Sequence, residues 1–336
     1  MSNKDNHDGA DDRSERERQQ ARYEESNWEA EVEDSFERPT VRVIKALLSN
    51  GVAVVSLFVI GLFVFSSIFA PMIAPAEPEH TFDQLQPPLS NSEADLDDDG
   101  QDEQITHVLG TDSFGQDILS RVIYGSRVSL IVAFATLGVS LVLGTAIGIL
   151  AGYYGGWVDS VLMRYIDFQW AFPSLILAVA LIGYLGGTGL INVVVAIGIA
   201  FIDDFARIVR GEILSLREEE YVLAARAIGM DDRRIMLSEM LPNAMAPILV
   251  QATFLIPLAI LAEAGLSFLG IGVDVTEPTW GLMVSQGRNF LTQAWWISVM
   301  PGFAIMATVL AFNLLGDRLR DIMDISDQEV QESGAA

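Results

Sequence analysis

The chain has 336 residues, of which 51% are hydrophobic, and its mean hydropathy of +0.35 is too high for an ordinary soluble protein. It carries 45 acidic and 20 basic residues and no cysteine, which excludes disulfides, thiolate metal sites and cysteine nucleophiles. The net charge of −25 also argues against nucleic acid as a partner, so we expect a polytopic membrane protein with acidic water-facing parts.

Lysine occurs only at Lys4 and Lys45. Neither is followed by Ser or Thr, so the chain has no P-loop, and any ATP that drives it must be hydrolysed by another chain. An acidic, lysine-poor surface stays hydrated at high salt, which suggests the hypothesis of an extreme halophile. Greatest stability of the purified protein in low salt would contradict that hypothesis.

The N-terminal part divides at about residue 39. Residues 1–38 are polar and charged, which predicts an acidic disordered cytoplasmic tail. The N-terminal region 39–74 contains a first apolar run, 52–73, preceded by Arg42 and Lys45, and these positive charges predict a cytoplasmic N-terminus. A cleaved late signal sequence is the alternative interpretation of this run.

Residues 75–125 are predicted to form an external acidic loop, because no lysine or arginine lies between 75 and 120. Within it, Asp95, Asp97 and Asp99 have the spacing that begins a calcium-binding loop, but the twelfth position is Thr106 where a bidentate Glu is expected. A merely solvated acidic loop is the alternative. The three histidines lie far apart, which predicts separate surface residues and no metal cluster: His7, His80 and His107.

The second predicted span, 128–151, contains small residues at every fourth position, which places them on one helix face and allows another helix to approach closely. They are Ser140, Gly144, Gly148 and Gly152. The third span, 163–185, is interrupted by Asp167 and Pro173. Asp167 is predicted to line a pathway or to form a structural ion pair, with Arg164 as one candidate partner, and Pro173 is predicted to kink the helix.

A fourth span, 190–208, contains Asp203 and Asp204 in its inner part. Arg207 and Arg210 follow about one helical turn later, a spacing that allows pairing along the helix. The sequence assigns no role to the two aspartates.

The charged stretch 217–242 predicts two short helices at the membrane surface. The first covers 217–228 and ends at Gly229, since glycine accepts the left-handed conformation of a helix C-terminus. The second begins after Asp231, a good N-cap, and Pro242 is predicted to end it. An interfacial amphipathic helix pair without a partner is the alternative interpretation.

Two further spans complete the predicted topology. The fifth, 244–269, carries Glu263 as its single charge, which predicts either a pathway residue or an interhelical hydrogen bond. The sixth, 296–315, contains Asn313 as a polar candidate of the same kind, and Trp295 and Trp296 are predicted to form an aromatic belt at the outer interface. The helix is predicted to stop at Gly316, followed by a cytoplasmic C-terminal tail, 317–336.

Several short sequence motifs resemble those of a known family. The run from Tyr221 through Ala224-Ala225 to Gly229, followed by Leu241-Pro242, resembles the coupling loop of the membrane subunits of ATP-binding-cassette importers. Segments 107–121, 261–270 and 311–321 are similar to those of dipeptide, oligopeptide and nickel permeases. Leu223 stands where the family pattern has Glu. The resemblance implies a coupling role for Tyr221, Leu223, Ala224, Ala225, Arg226, Gly229, Leu241 and Pro242.

The resemblance also implies an all-α membrane protein with six transmembrane helices, in the type I importer permease fold with cytoplasmic coupling helices and a transmembrane domain at 126–316. Both termini would be cytoplasmic in a multi-pass plasma-membrane protein. The implied partners are a second, different permease subunit, two ATP-binding subunits that use ATP and magnesium, an external solute-binding protein and a peptide substrate. This chain itself would bind no cofactor and perform no covalent chemistry.

Three alternatives to peptide import remain open from the sequence. The same architecture can import nickel, sugar or another solute. An ion-coupled secondary transporter would need coupling residues near the bilayer midplane and an inverted repeat, whereas the sequence shows no clear repeat. A membrane scaffold would not need the coupling loop.

Overall fold

The computed structural model describes residues 39–94, 103–273 and 277–334, almost entirely as helices. The chain divides after Gly51 into two units, which are described separately. The described part of the first unit is helix α1 (Pro39–Ser49). The prediction for residues 1–38 and the calcium candidates Asp95, Asp97 and Asp99 lie outside the described residues.

From Val52 onward, the second unit contains α2 (Gly51–Ile68) and α3 (Ala70–Ile73), and α4 (Ile118–Tyr154) follows the external segment. The central helices are α5 (Gly156–Trp170), α6 (Ser174–Tyr184), α7 (Leu190–Ala200) and α8 (Ile202–Leu216). The C-terminal part contains α12 (Met245–Phe268), α13 (Trp280–Gly287), a 3₁₀ turn (Arg288–Phe290) and α14 (Trp296–Gly334). The short helices α9 to α11 lie between α8 and α12.

Four helices in the described ranges are long and apolar enough to cross a membrane: α2, α4, α12 and the part of α14 from Trp296 to Met323. The pair α5 and α6 meets the same test together but is bent by 97°. Pro173 directly precedes α6 at its N-cap position and cannot donate a backbone hydrogen bond, and the bend confirms the predicted kink. The predicted fourth span is two helices, α7 and α8, with a break at Phe201. The count of six spans therefore stays a prediction.

The external segment contains an antiparallel hairpin, β1 (Ser90–Ala94) paired with β2 (Glu103–His107). The fold of the described residues is mostly helical, and this hairpin is a local departure from the predicted all-α class. Both strands lie within the predicted external loop, 75–125, and Thr106 Oγ1 donates to Asn91 Oδ1 at 2.8 Å across them. Both strands consist mostly of polar residues and lie close together in the sequence, so their pairing is a local feature of the chain.

His107 is buried, so the expectation of a surface histidine is wrong for this residue. Its Nδ1 lies 2.9 Å from Asp117 Oδ1 and its Nε2 lies 3.1 Å from Ser92 Oγ. The other carboxylate oxygen of Asp117 accepts the backbone N–H of Ser120 and so caps α4. The histidine thereby connects the hairpin to the start of the longest apolar span.

The small-residue face of α4 packs against α7 and α8 as predicted. Ser140 Oγ donates to Gly198 O at 2.7 Å. A Cβ atom placed on Gly144 would lie 2.5 Å from Phe205 Cβ, and one on Gly148 would lie 2.7 Å from Ala206 O. These distances leave no room for a side chain, so glycine is what allows the two helices to touch.

Two predictions for the C-terminal part are wrong. Helix α14 continues past Gly316 to Gly334, and a Cβ on Gly316 would lie 2.8 Å from Thr253 Oγ1, so this glycine permits contact with α12 rather than ending a helix. Trp296 is 7% exposed and its Nε1 donates to Thr111 O at 3.1 Å, so it belongs to the interior. Of the predicted aromatic belt, only Trp295 is exposed.

Candidate functional site

The segment 217–242, called the coupling segment below, contains helix α9 (Glu220–Ala227), helix α10 (Asp232–Arg234) and a π-helix (Ile235–Met240). The first helix begins at Glu220 rather than at residue 217, because a turn intervenes in which Glu218 N–H bonds to Ser215 O and Glu219 N–H bonds to Leu216 O. Asp231 accepts the N–H of Arg233 and caps α10 as predicted.

Gly229 ends α9 in the left-handed conformation, with a φ of +80°. Its N–H bonds to Arg226 O at 3.0 Å, and the N–H of Met230 bonds to Ala225 O at 3.1 Å. This pair of bonds is a Schellman motif, in which glycine is favoured because it has no Cβ. The predicted role of Gly229 as the helix terminator is confirmed.

Pro242 does not end the second helix, and that prediction is wrong. It lies inside α11 (Leu241–Asn243), which joins the π-helix to α12. A π-helical turn is wider than an α-helical turn, and the N–H of Leu241 bonds back five residues to Met236 O. The side chain of Asn243 donates to Glu239 O at 2.5 Å, which satisfies a carbonyl near the proline.

One face of the coupling segment is buried in the protein. Val222, Ile235 and Met240 are completely buried, in one hydrophobic cluster with Phe205 and Ile213 of α8. Burying such side chains stabilises a structure by about 1.5–3 kcal/mol each. The coupling segment is therefore a packed part of the fold and not a loose surface loop.

Tyr153, at the end of α4, joins both halves of the coupling segment. Its hydroxyl donates to Asp232 Oδ1 at 2.6 Å, and the Arg226 guanidinium lies 5.3 Å from the centroid of its ring. Arg217 Nη1 donates to Gly152 O at 3.4 Å beside it. Tyr153 was not among the predicted site residues, because 79 residues separate it from Asp232 and no motif joins them.

The Tyr153→Phe change is expected to loosen this connection. Loss of one hydrogen bond should lower the free energy of unfolding by about 1 kcal/mol and increase hydrogen exchange of the coupling segment. The control is Tyr154→Phe, because Tyr154 is 49% exposed and its hydroxyl has no hydrogen-bond partner in the described residues. Equal effects of the two changes, measured by hydrogen exchange of the purified protein, would contradict this assignment.

The opposite face of the coupling segment is exposed and partly apolar. Leu223 is 50% exposed and Ile228 is 79% exposed. Of the predicted coupling residues, the exposed ones are Tyr221, Leu223, Ala224, Arg226, Gly229 and Pro242. Leu241 is half-buried, and Ala225 packs into the interior, so its small size serves contact within this chain.

Tyr221 lies at the edge of the exposed face. Burial raises the pKa of the Tyr221 hydroxyl above its usual value, and the hydrogen bond from Asn243 opposes that rise. Asn243 Nδ2 donates to this hydroxyl at 3.4 Å. The phenol is therefore neutral at physiological pH and links α9 to α11.

The arginines of α8 pair with aspartates of α5 rather than along their own helix, which corrects the expected pairing. Arg207 Nη2 lies 3.0 Å from Asp167 Oδ1, and Arg210 binds both carboxylate oxygens of Asp159 at 2.5 and 2.7 Å. Asp167 thus forms a structural ion pair, with Arg207 instead of Arg164. The bidentate pair of Arg210 with Asp159 fixes the position of α8 against α5.

The remaining polar candidates lie apart from the coupling segment. Glu263 is completely buried, and its Oε1 accepts the hydroxyl of Ser267 at 2.6 Å. Both residues belong to α12, so this bond lies within one helix, and the predicted pathway role or interhelical bond stays a prediction. Asn313 is half-buried in α14. Within the described ranges, no group of three or more His, Cys, Asp or Glu side chains is arranged to hold a metal ion.

Comparisons with known proteins agree with this architecture. Residues 144–325 match the family described as "Binding-protein-dependent transport system inner membrane component", and residues 39–88 match "N-terminal TM domain of oligopeptide transport permease C". The methionine ABC transporter MetNI in an inward-facing conformation has a chain of similar fold, with a TM-score of 0.50 and 19% identity, covering 60% of this chain and 96% of that chain.

Curated relatives cover most of the sequence. The dipeptide transport system permease protein DppC of Alkalihalophilus pseudofirmus is 42% identical over 85% of this chain and 90% of its own length. The di/tripeptide transport system permease protein DppC of Pseudomonas aeruginosa is 41% identical over 78% of this chain and 84% of its own length. With a family match over more than half of the residues and these relatives, this multi-pass inner-membrane chain belongs to the binding-protein-dependent transport system inner membrane components.

Proposed function

We propose that this chain is a permease subunit of an ATP-driven importer and forms half of the translocation pathway for di- and oligopeptides. The names of the similar proteins support the cargo, since they include dipeptide, di/tripeptide and glutathione transport permeases. The glutathione relative, GsiD of Pectobacterium atrosepticum, is 43% identical over 65% of this chain. The cargo and the role as a permease subunit can be tested by separate experiments.

The observation that carries the proposal is the exposed apolar face of the coupling segment on a rigid support. Leu223 and Ile228 are apolar and exposed, whereas the opposite face is packed against α8 and joined to Tyr153. An apolar patch on a well-packed element is typical of a protein-binding surface. We assign it to an ATPase subunit, with Leu223 making an apolar contact where the family pattern has Glu.

The remaining partners follow from the same assignment. The sequence has no P-loop, so two ATP-binding subunits would use ATP and magnesium, and this chain would hold no cofactor. A second, different permease subunit would form the other half of the pathway, and an external solute-binding protein would deliver the peptide. With the predicted six spans and both termini in the cytoplasm, the coupling segment would lie on the side of the ATPases.

Motion would pass from the ATPases to the membrane helices through direct contacts. The coupling segment follows α8, continues into α12, and packs on the end of α4 through Tyr153. Because α4 and α8 are held together by glycine contacts, they are expected to move as one body. Alternating access then follows from ATP-driven displacement of that body.

The Ile228→Asp change tests the docking surface. A charge at the centre of an apolar contact should cost at least about 2 kcal/mol, so co-purification of the ATPase and ATP-dependent dipeptide uptake should fall at least about 10-fold. Ser215→Asp is the matched control, because Ser215 is exposed and lies two residues before the coupling segment. Unchanged co-purification in Ile228→Asp would refute the docking surface.

Uptake measurements with different solutes test whether the cargo is a peptide. The complete importer, reconstituted with its solute-binding protein in vesicles, should accumulate a labelled dipeptide when ATP is supplied. Accumulation of nickel or a sugar without any dipeptide uptake would refute peptide as the cargo and leave the subunit role intact.

A further inference from the structure

Two helix breaks meet at a cavity that the coupling role does not use. One is the bend between α5 and α6 at residues 171–173, and the other is the break between α7 and α8 at Phe201. A cavity of about 390 Å³ lies between them, lined by Gln169, Ser174, Asp203 and Asp204 among others. Interrupted helices that line a cavity are where membrane proteins place binding sites for ions and polar solutes.

The polar groups of this cavity are not fully bonded. Gln169 is 5% exposed, and its Nε2 donates to Ile199 O at 2.7 Å and approaches Asp203 Oδ1 at 3.4 Å. Its Oε1 is buried and has no hydrogen-bond partner among the described residues. A buried oxygen without a partner costs about 1–3 kcal/mol, so a ligand that supplies a positive charge or a donor would be stabilised there.

The carboxyl groups of the cavity lack ion-pair partners. Asp203 is 7% exposed, Asp204 is half-buried, and neither forms an ion pair with a described residue. The nearest basic side chain, Arg207, is bound to Asp167 at 3.0 Å and stacked on Trp170 at 4.8 Å. Both aspartates lie in the first turn of α8. Two carboxyl groups therefore line the cavity without an ion-pair partner among the described residues.

We propose that this cavity binds one compact monovalent cation, either an alkali-metal ion or a primary ammonium group, through Asp203, Asp204 and Gln169 Oε1. Calcium usually takes six to eight oxygen ligands, and two carboxyl groups and one amide oxygen supply only part of such a set. If the ligand is an ammonium group, the transported solute is its source, and that alternative rests on the proposed peptide cargo. An alkali-metal ion requires no assumption about the cargo.

The Ser174→Cys change gives a reporter for this site, because the chain has no cysteine and Ser174 lines the cavity. The importer complex, purified from membranes, is treated with a trimethylammonium-ethyl or a sulfonatoethyl methanethiosulfonate, and modification of this chain is followed by intact mass. Each rate is divided by the rate of the same reagent with 2-mercaptoethanol. The cationic reagent should react at least about 10-fold faster, because a cleft of one charge sign concentrates ions of the opposite sign.

Further substitutions in the Ser174→Cys protein identify the side chains that cause the preference for the cationic reagent. Asp203→Asn with Asp204→Asn should reduce the preference for the cationic reagent to near equality, and Gln169→Leu should leave it unchanged while weakening ion protection. Asp317→Asn, which removes an exposed charge elsewhere, should have no effect. A preference that survives the loss of both cavity aspartates would overturn the proposal.

Ion competition at constant ionic strength distinguishes the two sources of the cation. Potassium, sodium or methylammonium chloride replaces tetramethylammonium chloride, which cannot donate hydrogen bonds or be coordinated closely. Slowing of the cationic reagent at least about 3-fold by potassium or sodium supports a resident ion, and slowing by methylammonium supports an ammonium group. Absence of protection by all three, or protection by calcium alone, would overturn the inference. Neither measurement depends on transport.

Discussion

Replacing Gly229 with valine is expected to abolish uptake while leaving the protein folded. Gly229 has a φ of +80° and closes the Schellman motif at the end of α9, but no atom lies within 4 Å of a Cβ placed there. The change therefore adds backbone strain without a collision. The left-handed conformation costs about 1–2 kcal/mol for an L-residue, and a β-branched side chain is among the least tolerated.

That strain is best relieved by rotating α9 relative to α10, which would misplace the exposed face of Leu223 and Ile228. We expect ATP hydrolysis to continue in the reconstituted importer while dipeptide uptake falls at least about 10-fold, since small misplacements of an interface cost several kcal/mol. Gly229→Asn is the matched control, because asparagine tolerates this conformation, and it should retain most of the uptake. Normal uptake by the valine variant would count against the coupling role.

Replacing Gly148 with alanine is expected to cause a large loss of stability for the addition of a single methyl group. The new Cβ would lie 2.7 Å from both Ala206 O and Val209 Cβ, and 3.0 Å from Arg210 N. Two of these atoms belong to the backbone of α8 and cannot turn away, so α4 and α8 must separate. Overpacking of this kind costs about 1–3 kcal/mol, and the separation should also weaken transmission to the membrane helices.

Gly138→Ala is the control on the same helix, since nothing lies within 4 Å of a Cβ at that position. It should be neutral or stabilising by up to about 1 kcal/mol, because alanine is the better helix former. The midpoint of unfolding in a detergent titration compares the two variants directly. Equal midpoints would show that the close contact between α4 and α8 does not limit stability.

The predictions from sequence that are confirmed depend on neighbours along the chain. The glycines of α4 repeat every four residues, and this spacing placed them on the face that contacts α8. Gly229 follows a helical run, and Asp231 precedes one, so each was recognised as a helix boundary. Local rules of helix geometry were sufficient in these cases.

The wrong predictions come from residues that obey a local rule until a distant contact overrides it. Gly316 was predicted to end a helix, but it lies against Thr253 and the helix continues. Pro242 was predicted to end a helix, yet a π-helix precedes it and the chain remains helical through the proline. His107 lies in a polar stretch, but the hairpin and Asp117 bury it.

The membrane class, the apolar runs and the position of the coupling segment were determined by the sequence alone, because hydropathy and helix boundaries are set by adjacent residues. The tertiary structure decided which side chains meet: Tyr153 with Asp232, 79 residues later, and Gln169 with Asp203, 34 residues later. Such pairs depend on where helices bend and how closely they pack. The bend angles and the packing distances cannot be read from the residues adjacent to a contact in the sequence. Only the folded chain brings these groups together.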